Sequence, residues 1–165
     1  VSYSESTKAK PFGFESTQFG GFTVTVHNQE TLPDIRHTVV FNAPIQKVWS
    51  AVTTAEGIST WFMPTSDFQA ELGNDFTLQS PYGVSPCKVR EIDPPNRLVF
   101  NWGETWMVTF ELKDLEGKTE FTLIHAGWIA DKVLESGEDT AVVRGRMDHG
   151  WSVGVLPRLA QYVEA

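Results

Sequence analysis

Between Leu98 and His125 the chain alternates large apolar side chains with polar ones three times in succession, and that pattern admits few folds. Leu98, Phe100 and Trp102 share one face, as do Trp106, Val108, Phe110 and Leu112, and then Phe121, Leu123 and His125. A period of two belongs to a strand with one face on the core. The links, Gly103-Glu104-Thr105 and Asp114-Leu115-Glu116-Gly117, are too short for a crossover, so consecutive strands run antiparallel. Register follows from the turns. A four-residue loop at 114–117 sets Phe110 opposite Phe121, Val108 opposite Leu123 and Trp106 opposite His125. A two-residue turn after Trp102 would set it opposite Thr105 and break the face, so the pattern predicts an odd-length loop there.

The resulting face carries Phe100, Trp102, Trp106, Phe110 and Phe121, with His125 as its polar member, and something must cover it. The last segment, about 141–163, repeats Trp151, Val155, Leu159 and Tyr162 at helical spacing. Sheet face and helical stripe most simply cover each other. Pro157 falls off that stripe, so it is expected to face solvent and kink the helix.

Upstream, Ile35 to Phe41 is a β-branched run and reads as a strand. Asn42 can cap, Pro44 suits a first turn, and Ile45, Val48, Trp49 and Val52 define an amphipathic helix. Thr53-Thr54-Ala55-Glu56 reads as a capping box opening a second short helix with Ile58, Trp61 and Phe62 on one face. Pro64 ends it by excluding Met63 from helical geometry. Strands are expected near 68–72, 75–80, 86–92, 97–102, 105–113 and 118–126, and a loop or partly helical stretch at 131–140. The order is strand, two helices, six strands and a long helix, which is an α+β domain.

Residues 1–30 are rich in Ser, Thr and Gly. They read as a mobile extension adding little stability, although Phe22 to Val26 could form a short strand. The folded domain is expected over 31–165. Six Trp and eleven Phe supply an ample core. A net charge of -8 disfavours nucleic acid and anionic membrane surfaces as partners. No apolar run is long enough to span a bilayer, and the first residues lack an apolar signal core. The single cysteine, Cys87, excludes an internal disulfide and fits a reducing, cytoplasmic setting.

The histidines, His27, His37, His125 and His149, show no metal-ligand spacing, so neither a metal nor a cofactor is expected. His125 reads either as a core histidine satisfied by one hydrogen bond or as a polar anchor for a ligand hydroxyl or carbonyl. His149 is expected on the outer face of the last helix. Asp148 beside it makes no dyad, because helix neighbours do not face each other. Cys87 reads as an inert strand cysteine. Nothing points to a nucleophile or a paired acid and base, so catalysis is not expected.

The segments NAPIQKVWSAVTTAEGISTWFMP, EIDPPNRLVFNW, KTEFTLIHAGW and GRMDHGW, with LAQYVEA near the end, resemble the activator of heat-shock protein 90 ATPase-like branch of the START-like (SRPBCC, helix-grip) superfamily. The match runs from about Pro33 to Ala165, and a small bacterial stand-alone member fits best. The resemblance implies a seven-stranded antiparallel sheet curved around the long C-terminal helix. It also implies a cavity between them for a small apolar ligand, aromatic, polyketide- or lipid-like. The expected lining is Trp61, Phe62 and Met63 at the rim, with Phe100, Trp102, Trp106, Val108, Phe110, Phe121, Leu123 and His125 from the sheet and Trp151, Val155 and Leu159 from the helix. Aromatic spacing alone is equally compatible with a core filled by its own side chains. The alternatives to ligand binding are a chaperone-associated interaction module, as the family name implies, and an enzyme acting on a pocketed ligand.

Overall fold

The computed structural model describes residues 14–19, 22–27, 31–81, 83–129 and 138–165. Strands β1 (Phe14–Phe19) and β2 (Phe22–His27) pair antiparallel as a separate two-stranded sheet. The short strand expected at 22–26 is therefore present, with a partner. The expected stretch at 131–140 falls mostly outside the described residues.

The main sheet has six strands: β3 (Ile35–Phe41), β4 (Asp75–Ser80), β5 (Gly83–Asp93), β6 (Arg97–Trp102), β7 (Trp106–Asp114) and β8 (Thr119–Ala126). Their spatial order is β3-β8-β7-β6-β5-β4, antiparallel throughout. The first strand in sequence thus pairs with the last, and the other five form a meander. A bulge leaves Arg90 without a partner between Val89 and Glu91, and bulges bend and twist the strand that carries them.

The count is six strands and not seven because 68–72 does not join the sheet. Phe68 alone in this stretch is buried, packing edge-on to Phe76 at 4.8 Å. The Asp67 carboxylate accepts from the Thr77 backbone N–H at 2.9 Å and from the Thr65 hydroxyl at 3.1 Å. The Asn74 side-chain oxygen accepts from the Gln69 N–H at 2.9 Å. Side chains here take the place of ladder partners, and the backbone is left as a loop.

The turn registers divide. Trp102 pairs with Trp106 across the three-residue loop 103–105, the odd length expected. At the next turn the ladder continues to Asp114↔Thr119, and Phe110 pairs with Leu123, Leu112 with Phe121 and Val108 with His125. The expected register is thus off by two residues, because the loop is 115–118 and not 114–117. Glu116 and Gly117 supply its left-handed residues at φ 60° and 100°, and Asp114 accepts from the Glu116 N–H at 2.8 Å. A shift of two keeps every side chain on its face.

Helices α1 (Ile45–Val52) and α2 (Ala55–Trp61) follow β3. The N-cap of α1 is Pro44, and Asn42 instead donates its N–H to Glu164 at 2.8 Å. The cap of α2 is Thr54, whose hydroxyl accepts from Gly57 N–H at 3.0 Å, while Thr53 closes α1. Phe62 leaves helical geometry at φ -117°, ψ -94°, two residues before Pro64.

The C-terminal helix is continuous in three parts: α3 (Thr140–Gly150), a π-helical turn over Trp151–Val155, and α4 (Leu156–Glu164). Pro157 is exposed, as expected. Lacking an N–H, it cannot bond the carbonyl four residues back. The wider turn lies just before it, and Leu156 N–H bonds to the Trp151 carbonyl five residues back. The extra residue shifts the helical phase. Leu156, Leu159 and Val163 are buried, whereas Val155 is half-buried and Tyr162 is largely exposed. Leu156 occupies the buried position that an uninterrupted α-helix would have given Val155, and Val155 packs half-buried against the core.

Candidate functional site

The concave face of the sheet, the C-terminal helix and the end of α2 enclose a cluster of aromatic rings. Trp102 and Trp106 reach it from the ends of β6 and β7, and His125 from β8. Trp61 and Phe62 come from the end of α2, and Trp151 from the start of the π turn. Trp61 is fully buried and donates its indole N–H to the Ala51 carbonyl at 2.8 Å, which ties α2 to α1. Arg158 on α4 donates to the Trp61 carbonyl at 3.2 Å and holds the same end of α2 from the other side.

Phe62 is half-buried and makes three ring contacts. It lies near-parallel to Trp151 at 5.0 Å and 25°, near-parallel to Trp61 at 5.4 Å and 23°, and edge-on to Trp102 at 5.5 Å. Both geometries are favoured by aromatic quadrupoles. Met63 is half-buried beside it. Of the three residues expected at a rim, Trp61 belongs to the core, while Phe62 and Met63 stand at its edge.

His125 is fully buried among four indoles. It stacks on Trp102 at 5.3 Å and 25° and meets Trp106, Trp128 and Trp151 at 5.0, 4.7 and 6.1 Å. The indole N–H of Trp151 donates to His125 Nδ1 at 3.1 Å. An indole nitrogen only donates, so Nδ1 carries a lone pair and the ring proton sits on Nε2. Nε2 is buried and has no hydrogen-bond partner among the described residues. Burial, and secondarily the positive charge of Arg144, push the imidazole down to about 3, so the ring is neutral at physiological pH.

Trp128 is a member that strand periodicity does not reveal. It is fully buried, packs against Trp106 at 4.8 Å and donates its indole N–H to the His125 carbonyl at 2.9 Å. It lies past the end of β8, where alternation has stopped, and only the preceding Gly127, at φ 94°, hints that the chain turns inward there.

Deeper in the face, Phe100, Phe110 and Phe121 form a chain of rings 5.5 to 5.8 Å apart, and Phe110 meets Trp61 at 5.7 Å. Val108 and Leu123 on the sheet and Leu159 on α4 are fully buried. These residues contribute to the main packed core. Two concavities, of about 350 and 270 Å³, lie on the outer side of the sheet among polar residues such as Arg97, Glu111 and Lys113, or Lys88, Arg90 and Asn101. In the aromatic cluster itself the Phe62 ring lies against Trp61, Trp102 and Trp151, and a ligand seated between those indoles would have to displace it.

The other titratable candidates sit apart. His149 is exposed, while Asp148 joins His37 on β3 at 2.7 Å. Cys87 is buried, and that burial pushes its thiol up to about 12. A thiol reagent at pH 8 is therefore expected to label Cys87 in the unfolded protein and leave the folded one nearly unmodified over the same interval, as followed by mass spectrometry.

A curved antiparallel sheet gripping a C-terminal helix, with two short helices after the first strand of that sheet, defines a helix-grip domain of the START-like type. Residues 42–164 match the family model for activator of Hsp90 ATPase homolog 1-like protein, and the chain belongs to that family. The solution structure of protein BH1534 from Bacillus halodurans is similar at 48% identity and a TM-score of 0.75, covering 81% of this chain and 99% of the other. The fold is shared by the Aha1 dimer of Colwellia psychrerythraea (19% identity, TM-score 0.65, 81% and 97% covered). It is shared too by PFC0360w, an HSP90 activator from Plasmodium falciparum (20% identity, TM-score 0.62, 76% and 92% covered). No curated protein matches the sequence. Among the described residues no helix is long and apolar enough to cross a membrane.

Proposed function

We propose that the domain binds a small, planar, largely apolar molecule between the sheet and the C-terminal helix, in the seat held here by the Phe62 ring, and does so without transforming it. The carrying observation is Phe62 itself: a half-buried ring outside regular helix, near-parallel to two indoles and edge-on to a third. Rotation of that one side chain would free an aromatic slot lined by Trp61, Trp102 and Trp151, with Met63 at its mouth. Phe100, Phe110, Phe121, Val108, Leu123 and Leu159 form the floor beneath it, and Val155 flanks it from the π turn. The absence of transformation rests on His125. Its ring contacts among the described residues are all with tryptophans, and an imidazole pushed down to about 3 is a poor proton acceptor at neutral pH. The binding unit is the segment 31–165, with residues 1–30 as an extension, and a single cysteine suits a reducing compartment such as the cytoplasm.

The test is thermal denaturation with a set of naphthalene- to anthracene-sized compounds. A ligand at about 100 times its dissociation constant adds roughly 2.7 kcal/mol. For this chain length that raises Tm by about 5 to 10 °C. Phe62→Ala should bind the same compounds more tightly than the native protein, because the seat is already empty. Trp151→Ala should weaken binding far more than His149→Ala. Failure of every compound to shift both the native protein and Phe62→Ala would overturn the reading.

Family membership favours a second reading, a chaperone-associated module that stimulates an Hsp90 ATPase. It predicts that the isolated protein raises the ATPase rate of an Hsp90 in a titration, and that Phe62→Ala leaves this effect unchanged.

A further inference from the structure

We infer that the Nε2–H of His125 is a recognition donor within this site, selecting planar ligands that carry a bare oxygen acceptor of the aryl-ketone or quinone type, and that Trp151 sets this preference from the opposite side of the ring. The inference rests on the binding reading above and adds the chemistry of the ligand's polar atom. Trp151 Nε1–H occupies Nδ1 at 3.1 Å and so fixes the proton on Nε2. That N–H is wholly buried and has no partner among the described residues. A buried donor without an acceptor is costly, and a ligand oxygen would remove the cost. Trp102 and Trp151 each contact both the His125 ring and the Phe62 ring. The donor's imidazole and the proposed seat therefore share two walls, and the inference sets the ligand's ring in the seat with its oxygen at Nε2. The polarity of the preference is also set by surroundings. Nε2–H cannot accept, so a ligand that offers only a donor gains nothing. Full burial among indoles disfavours a formally charged carboxylate over a neutral carbonyl. The charge of Arg144, close enough to act on the imidazole, further favours the electron-rich end of a carbonyl dipole.

The test compares 2-acetylnaphthalene with 2-isopropenylnaphthalene, which has the same shape with a methylene group in place of the oxygen. Dissociation constants come from calorimetry on the full chain. The native protein should bind the ketone about tenfold more tightly, the size of one buried hydrogen bond. Trp151→Phe keeps an aromatic wall but removes the indole N–H. Nδ1 then loses its donor, the imidazole divides between tautomers, and the ketone preference should fall about twofold, because the ligand must first select the Nε2–H form. Nitrogen-15 correlation spectra should place the proton of His125 on Nε2 in the native protein and show a mixture in Trp151→Phe. Equal binding of the two probes by the native protein would overturn the donor role and leave apolar binding standing. A proton found on Nδ1 in the native protein would overturn it through the tautomer. Binding of neither probe, by the native protein or by Phe62→Ala, would overturn this inference together with the reading it rests on.

Discussion

Lowering the pH from 7.5 to 4.5 is expected to cost the domain about 3 kcal/mol of stability through His125 alone. The imidazole titrates at its usual 6.5 in the unfolded chain but is pushed down to about 3 in the fold, first by burial and second by Arg144. Above pH 6.5 both states hold a neutral ring and nothing is lost. Between 6.5 and 3 the unfolded chain takes up a proton that the folded chain refuses, so stability falls as pH falls, by about 4 kcal/mol at pH 3. Asp67 acts in the same direction at lower pH. Its carboxyl is held below 3.8 chiefly by the Thr77 N–H, so its contribution is present above 3.8 and is lost as pH falls through the folded value. Urea unfolding of the native protein and of His125→Phe at pH 7.5, 6.0, 5.0 and 4.5 separates the two. The variant leaves the Trp151 N–H unpaired and starts less stable, but its pH curve lacks the His125 contribution. Parallel curves would show that His125 is not held neutral.

Gly127→Ala should be among the most damaging single-methyl additions available, with a loss of about 4 kcal/mol or more and a fall in Tm of about 10 to 15 °C. Gly127 sits at φ 94°, and a Cβ there would lie 2.0 Å from the Thr105 carbonyl oxygen and 3.0 Å from Trp106 Cα. Both are backbone atoms and cannot swing aside. The start of β7 would have to move away from the end of β8, separating Trp106 and Trp128 from His125. Gly117→Ala is the control, because Gly117 has φ 100° with nothing within 4 Å of its added methyl. It carries the backbone strain alone, about 1–2 kcal/mol. Equal losses from the two variants, measured by calorimetry, would show that the contact with Thr105 is not what constrains Gly127.

Much of this architecture is legible in the sequence because side-chain alternation survives local error. The β7–β8 register lies two residues from the one the turn predicts, yet Phe110, Phe121 and His125 still fall on the inner face, since only an odd shift moves a side chain to the other face. The capping residue of α2 was misplaced by one without altering which side chains it buries. Periodicity failed where hydrogen bonds between distant side chains and backbone decide the shape. The stretch 68–72 has the pattern of a strand but is a loop, because the carboxylate of Asp67 just before it binds Thr65 and the Thr77 backbone. Trp128 escaped notice because no repeat extends beyond Gly127. Spacing also could not decide between an open cavity and a filled interior. That depends on side-chain rotamers, such as that of Phe62 one residue past a helix end, and a rotamer has no signature in a pattern of residue types.

The π turn at 151–155 makes the C-terminal helix a surface read in two frames. Upstream of it, Val143, Met147 and Trp151 face the core in one phase; downstream, Leu156, Leu159 and Val163 face it in another. Each residue added to or removed from a helix rotates everything beyond it by about 100°. Loss of a single residue such as Gly154 could therefore be absorbed by converting the wide turn to an ordinary one, with both frames still in place. Loss of a residue from α4 itself, where there is no slack, would swing the exposed Arg158 and Gln161 side of the helix toward the sheet. The same chain length can thus tolerate a deletion at one point and fail at another four residues away.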